Sequence, residues 1–138
     1  MDSETQSHRD NEIKAVEYFC KSMNCNYVKL PKYDIDFLLT RKGKGIAFAE
    51  VKCRTHTFSS FKTQMLSFIK YGEMLKVNKW LPCYFICQYS DGIYYINVND
   101  IPLDNISKGG RNNPRAERPN DVEFLIYFNR DLMKLIKD

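Results

Sequence analysis

The chain has 138 residues, of which 43% are hydrophobic and 14% aromatic, and its formal net charge is +4. This length predicts one domain and leaves little room for a separate recognition domain beside a catalytic one. No apolar run approaches the roughly 20 residues that cross a bilayer, and the polar first residues are not typical of a signal peptide. Five irregularly spaced cysteines favour reduced thiols, so we expect a cytoplasmic or nucleoid-associated protein.

The first predicted element is a helix from Glu12 to Met23, preceded by a tail at residues 1–9 that we expect to be flexible. Asp10 or Asn11 is expected to cap the helix. Its apolar side chains form one stripe at 100° per residue, and Glu12 falls inside this stripe. Because a carboxylate in the first turn is also favoured by the helix dipole, both a functional and a structural role for Glu12 stay open.

A short alternating strand from Asn26 to Leu30 precedes a predicted β-hairpin within Tyr33 to Arg54. The second strand of the hairpin is apolar at both parities from Ile46 to Val51, which is typical of a strand covered on both faces of a sheet. Glu50 and Lys52 therefore end a strand that should be buried. Ionised groups there are costly unless they are paired or coordinate an ion.

The charged residues of the hairpin are predicted to converge. Glu50 and Lys52, two residues apart, point to one side, near Asp34 and Asp36 of the neighbouring strand. The two aspartates share a parity, so strand geometry does not choose between them. Carboxylates on adjacent strands suit Mg²⁺ or Mn²⁺, and a lysine beside such an ion can hold an attacking water. The alternative is a cross-strand charge pair at a sheet edge, which the apolar residues of the same parity disfavour.

After the hairpin the pattern predicts a second helix from Phe61 to Val77, with Gln64 at the border of its apolar stripe. Three further strands and a short terminal helix follow. They are predicted at Trp80 to Tyr89, Ile93 to Val98, Val122 to Phe128 and Arg130 to Lys137. Residues 99–120 are predicted to be largely irregular.

Residues 105–120 form a locally basic part of this irregular segment. Its positively charged side chains are Lys108, Arg111, Arg115 and Arg118. Such residues either make a solvated surface or contact the backbone of a nucleic acid, an interaction that is independent of sequence and sensitive to salt.

The hairpin resembles the core motif of the PD-(D/E)xK nuclease superfamily, which includes restriction endonucleases, Holliday junction resolvases and RecB-like nucleases. Asp36 opens an apolar run, and Ala49-Glu50-Val51-Lys52 follows after the turn. Glu12 matches a glutamate early in the first helix of many members, Gln64 a glutamine on the helix after the motif, and Arg54 a basic residue of resolvase-like members. The proline that names the motif is absent before Asp36, where Ile35 stands instead.

The resemblance, which extends from about Glu12 to Val98, implies an α/β fold with a mixed central β-sheet flanked by helices, within a single nuclease-like domain over residues 1–138. It also implies a Mg²⁺-dependent deoxyribonuclease, with Mn²⁺ as a substitute. The implied metal ligands are Glu12, Asp36, Glu50 and the carbonyl of Val51, with Asp34 as the alternative aspartate. Lys52 would orient or deprotonate the attacking water, and Gln64 would steady Lys52 or the phosphate.

Two further expectations concern partners. Small resolvase-like members of the superfamily act as homodimers on branched DNA, so the resemblance implies a homodimer that cleaves a structure such as a Holliday junction. The competing hypothesis is a non-catalytic module, binding either nucleic acid or protein, that keeps the nuclease fold. The acid, acid and lysine set at Asp36, Glu50 and Lys52 favours the enzyme.

Overall fold

The computed structural model describes residues 6–31, 35–109 and 123–136. In chain order, its helices and strands are α1 (Gln6–Met23), β1 (Asn26–Lys29), β2 (Phe37–Arg41), β3 (Lys44–Cys53), β4 (Thr63–Ser67), α2 (Phe68–Asn78), β5 (Cys83–Tyr89), β6 (Gly92–Asn97), β7 (Ile106–Gly109), β8 (Glu123–Asn129) and β9 (Lys134–Leu135). Short 3₁₀ helices occur at Phe58–Ser60, Val98–Asp100 and Arg130–Leu132. Neither described helix is long and apolar enough to cross a membrane.

The strands form two sheets. The larger sheet has the order β1-β2-β3-β5-β6-β9, in which β3 and β5 are parallel and the other neighbours are antiparallel. The smaller sheet has the order β4-β8-β7 and is antiparallel. The expectation of a mixed central sheet with flanking helices is thus confirmed, and the small second sheet is an addition to it.

Strand β3 lies in the middle of the larger sheet, as its apolar pattern predicted. Ala47, Ala49 and Val51 are buried in a core that they share with the apolar stripe of α1. The intervening residues point to the opposite face, where Phe48 packs against the core built by α2, β5 and the small sheet. Glu50 and Lys52 share the parity of Phe48, so they stand on the α2 side of the sheet.

Two helix boundaries differ from the prediction. Helix α1 begins at Gln6, so residues 6–9 belong to it and not to a tail. Helix α2 begins at Phe68 because Thr63–Ser67 pairs with β8 as a strand. In that strand Gln64 and Leu66 are buried and Met65 is exposed, which is the period of two of a β-strand and not the helical stripe predicted from the sequence.

The last part of the chain also departs from the prediction. Residues 99–109 are not wholly irregular, since β7 pairs with β8 from Ile106 to Gly109. The expected terminal helix at 130–137 is a 3₁₀ turn at Arg130–Leu132 followed by β9, which pairs with β6. Met133 and Ile136 are buried in this segment, whereas Leu132 and Leu135, which a helix was expected to turn inward with Ile136, are exposed.

Candidate active site

The hairpin brings Asp36 and Glu50 together. Phe37 pairs with Ala49 across β2 and β3, so the preceding Asp36 comes opposite Glu50. Asp36 Oδ2 accepts a hydrogen bond of 2.9 Å from the Val51 N–H, which fixes this carboxylate against β3. On its other side, Asp36 Oδ1 lies 3.6 Å from the ammonium nitrogen of Lys29 on β1.

Glu50 is the buried acid of the pair, with only 3% of its surface exposed. Burial raises the pKa of Glu50 to about 8, and the negative charge of Asp36 adds to this effect, while the ammonium groups of Lys70 and then Lys52 act against it. Within the described residues, its Oε1 atom is buried without a hydrogen-bond partner. One carboxylate oxygen of the pair therefore has no hydrogen-bond donor in this part of the structure.

This arrangement fits a divalent cation. Two adjacent carboxylates with an unsatisfied buried oxygen are hard ligands of the type that Mg²⁺ uses, and Mg²⁺ commonly binds through one or two carboxylates while it keeps several waters. In the described ranges, no group of three or more His, Cys, Asp or Glu side chains could hold a metal ion. A bound ion would therefore take its remaining ligands from the backbone and from water.

Two lysines approach Glu50 from different elements. Lys52 lies on the same side of β3 as Glu50 and is exposed. Lys70 lies in the first turn of α2, with its Nζ atom 3.5 Å from Glu50 Oε2 and 3.3 Å from Glu73 Oε2. Burial acts to lower the pKa of Lys70, but the charges of Glu50 and Glu73 outweigh it and raise the pKa.

Lys70 was missed in the sequence because the helix was predicted to begin seven residues too early, which placed Lys70 in mid-helix. With Ser67 recognised as the cap, it becomes a lysine in a first turn. The helix dipole disfavours a cation there, and this would have marked Lys70 as a residue with an acidic partner.

Glu12 does not form a metal-binding group of three acids with Asp36 and Glu50 in the described part of the chain. It lies on α1, which packs on the face of the sheet that carries Val51, whereas Glu50 points to the other face. Its charge contributes, after burial, to raising the pKa of the Cys53 thiol to about 11, which places Glu12 near the end of β3. The predicted ligand is thus close to the strand but not among the grouped carboxylates.

Gln64 is placed differently from the prediction: it lies on β4 and not on a helix. Only 1% of its surface is exposed. Its Oε1 accepts a hydrogen bond of 2.5 Å from the Tyr89 hydroxyl, and its Nε2 donates to the Met65 carbonyl at 3.0 Å. Both ends of the amide are therefore satisfied inside the protein, and neither of these two hydrogen bonds involves Lys52.

The expected nucleic-acid contacts are only partly described. Arg54 is half-buried just after β3, and its N–H donates to the Gln88 carbonyl at 2.8 Å. Lys108 is exposed on β7. Four residues lie outside the described ranges, namely the alternative ligand Asp34 and the basic residues Arg111, Arg115 and Arg118.

A family model described as "Phage putative PDDEXK endonuclease" matches residues 2–136. No curated protein sequence matches the chain. Among solved structures, Hjc, a Holliday junction resolvase from the archaeal hyperthermophile Archaeoglobus fulgidus, is similar with a TM-score of 0.56 and 9% identity over 89% of each chain. D212, a nuclease from a fusselovirus, has a TM-score of 0.49 and 14% identity, over 89% of this chain and 79% of its own. The likeness to Hjc shows a restriction endonuclease-like fold.

Proposed function

This chain belongs to the family of phage PDDEXK endonucleases, and from that premise we propose that it is a metal-dependent enzyme that hydrolyses phosphodiester bonds of DNA. The observation that carries the proposal is the pair of Asp36 and Glu50. One carboxylate is buried with an unpartnered oxygen and a raised pKa, and the other is locked beside it by a backbone hydrogen bond. A divalent cation is the partner that such a pair favours.

In this proposal Asp36, Glu50 and the carbonyl of Val51 hold Mg²⁺, for which Mn²⁺ can substitute. The bound ion supplies Lewis-acid charge stabilisation at the phosphate and lowers the pKa of water. The hydrogen bond from the Val51 N–H occupies Asp36 Oδ2, so Oδ1, which lies 3.6 Å from the Lys29 ammonium, is the oxygen that would bind the ion in place of Lys29. Glu12, near the end of β3, is assigned a secondary role, acting on the ion through water.

Lys52 is the residue that we assign to the attacking water. It is exposed on the side of β3 that carries Glu50, so its ammonium can reach a water from the solvent side of the site. As the ammonium it orients this water by a hydrogen bond, and as the neutral amine it takes the proton of this water, while the water oxygen attacks phosphorus. The bond from phosphorus to the 3′ oxygen breaks, the departing oxygen takes a proton from solvent, and the products carry a 5′-phosphate and a 3′-hydroxyl.

Branched DNA is the substrate class that we propose, and a homodimer is the proposed assembly. The fold that this chain shares with Hjc, a Holliday junction resolvase, supports a four-way junction as the first substrate to examine. Lys108, exposed on β7, is a proposed contact to the DNA backbone, together with the basic residues of the segment that follows it.

The test is cleavage of supercoiled plasmid, single-stranded DNA and a four-way junction by the purified protein, in Mg²⁺, Mn²⁺ or EDTA. We expect metal-dependent cleavage that is lost in Glu50→Ala and Lys52→Ala but kept in Lys44→Ala. Lys44 is an exposed lysine at the start of the same strand and serves as the matched control. Cleavage that persists in EDTA or in the two site variants would refute the mechanism. Binding without cleavage would favour the non-catalytic module.

A further inference from the structure

Lys70 has a fixed position over the carboxylate pair. Its backbone N–H donates to the Ser67 hydroxyl at 3.4 Å, which caps α2 above the face of β3 that carries Glu50. The ammonium contacts Glu50 Oε2 at 3.5 Å and Glu73 Oε2 at 3.3 Å. Since 29% of the side-chain surface is exposed, the ammonium lies between the buried acid and solvent.

The two contacts of Lys70 differ in kind. Glu50 is buried, whereas 42% of the Glu73 side chain is exposed. Glu73 lies three residues further along the same helix, so this contact is local. It holds the ammonium near the site even when Lys70 no longer contacts Glu50. Lys70 also faces Asp36, whose charge is felt at its ammonium, though less than that of Glu50 and Glu73.

We propose that Lys70 is a second catalytic lysine, which binds an oxygen of the phosphate that is cleaved. The inference rests on the proposed function. A divalent cation at Asp36 and Glu50 neutralises Glu50 and repels the ammonium, so the attraction between Lys70 and Glu50 weakens. The phosphate that enters beside Glu50 then comes within reach of Lys70, which Glu73 still holds beside the site. A lysine ammonium binds phosphate as a compact positive charge.

The two lysines would therefore divide the work. Lys52 extends from the sheet, and no ion pair of Lys52 is found within the described ranges, so it is available to the attacking water. Lys70 extends from the opposite helix and already contacts Glu50. A metal ion bound to Glu50 would displace Lys70 from this contact. The same active site thus carries two cations, Lys52 for the attacking water and Lys70 for the phosphate.

Binding of a labelled DNA duplex in EDTA tests this inference without requiring cleavage. Glu50→Gln is the parent protein, because its side chain cannot ionise and so cannot form the charged contact that is the main structural reason to keep Lys70. Adding Lys70→Met should weaken binding about tenfold and reduce the salt slope by about 0.9, the value for one phosphate contact. Lys70→Arg should keep both values near those of the parent.

Lys76→Met is the matched control, since Lys76 is an exposed lysine in the last turn of the same helix. We expect it to leave the affinity and the salt slope of the parent unchanged. Thermal unfolding of every variant checks that the fold is retained. A Lys70→Met variant that unfolds at the parent temperature and keeps the parent's salt slope would overturn the inference.

The rate of cleavage is a second measurement, made on Lys70 variants that retain Glu50. Lys70→Met should lower kcat about 100-fold, while Lys70→Arg should stay within about tenfold of the unchanged protein. Equal kcat values for Lys70→Met and the unchanged protein would also refute the inference. If the unchanged protein binds DNA but does not cleave it, the proposed function fails, and the salt slopes still decide the role of Lys70.

Discussion

At the scale of single residues, the site depends on an acid that is costly to bury. Glu50 lies next to a second carboxylate. In the described ranges, Lys70 is the only cationic side chain within 4 Å of Glu50. An ionised carboxylate in such surroundings loses hydration that one half-exposed lysine does not replace. The folded protein without metal therefore favours the protonated form of Glu50, and this has a measurable consequence for stability.

We predict that the metal-free protein loses stability as the pH rises from 5 to 8. The pKa of Glu50 is about 4.5 as an ordinary carboxyl and about 8 in the folded protein, so between these values the folded state holds a proton that the unfolded state has released. The stabilisation is complete below about pH 4.5 and is lost as the pH rises through 8. Thermal unfolding in EDTA across this range measures it.

Glu50→Gln should flatten this pH dependence, since the amide does not titrate. Glu73→Gln is the control, because Glu73 also contacts Lys70 but is half-exposed. It should keep the decline that the unchanged protein shows. If Glu50→Gln and the unchanged protein lose the same number of degrees between pH 5 and 8, Glu50 does not carry the raised pKa.

Gln64 offers a second prediction at this scale, because its contacts indicate a structural role. Gln64→Met should leave the buried Tyr89 hydroxyl without its amide acceptor and lower the free energy of unfolding. The expected loss is about 1–3 kcal/mol, the usual cost of an unsatisfied buried polar group. Chemical denaturation measures the loss, and kcat should stay within about twofold. A variant of normal stability with a large fall in kcat would instead support the catalytic role that the family resemblance implied.

At the scale of elements, the hairpin that carries the site was predictable from the sequence and the neighbouring helix was not. The hairpin has two apolar strands, a Lys-Gly turn and charges at fixed spacing, and each of these signals is local. Strand β4 is stabilised by pairing with β8, about sixty residues further along the chain. The five residues of β4 lie between a 3₁₀ turn and a helix, and their own pattern does not reveal the distant strand with which they pair. The sequence therefore predicted them as part of the helix.

The hairpin turn gives the prediction at this scale. Arg41 pairs with Lys44, and the two residues between them, Lys42 and Gly43, have φ values of 53° and 75°. Positive φ at both positions defines a type I′ turn, which favours Asn-Gly. Gly43→Ala should therefore cost about 1 kcal/mol, although a Cβ there would meet no atom within 4 Å. Lys42→Asn should stabilise the protein by roughly 0.5 kcal/mol.

Urea denaturation of both variants, with cleavage measured alongside, separates turn strain from an effect on the site. We expect the two substitutions to change the free energy of unfolding with opposite signs and to leave kcat unchanged, since both residues are exposed at the turn, away from Asp36 and Glu50. A destabilising Lys42→Asn would show that the turn does not adopt the type I′ geometry.

At the scale of the whole molecule, the site lies on the α2 face of a sheet whose other face is covered by α1. The family resemblance implied this layering and the choice of Asp36 over Asp34, while strand parity and the hairpin predicted only that these aspartates would lie near Glu50. The sequence did not predict which helix would supply a cation. That depends on where α2 begins, and the start of α2 depends on the small second sheet. Long-range pairing thus limits what the pattern of a single segment can reveal.

Calorimetric titration of the metal-free protein with Mn²⁺ tests the central claim most directly, namely that Asp36 and Glu50 form a divalent-cation site. We predict saturable binding that is abolished by Glu50→Gln and by Asp36→Asn and retained by the control Glu73→Gln. Binding that is equally tight in all four proteins, or no binding to the unchanged protein, would contradict it.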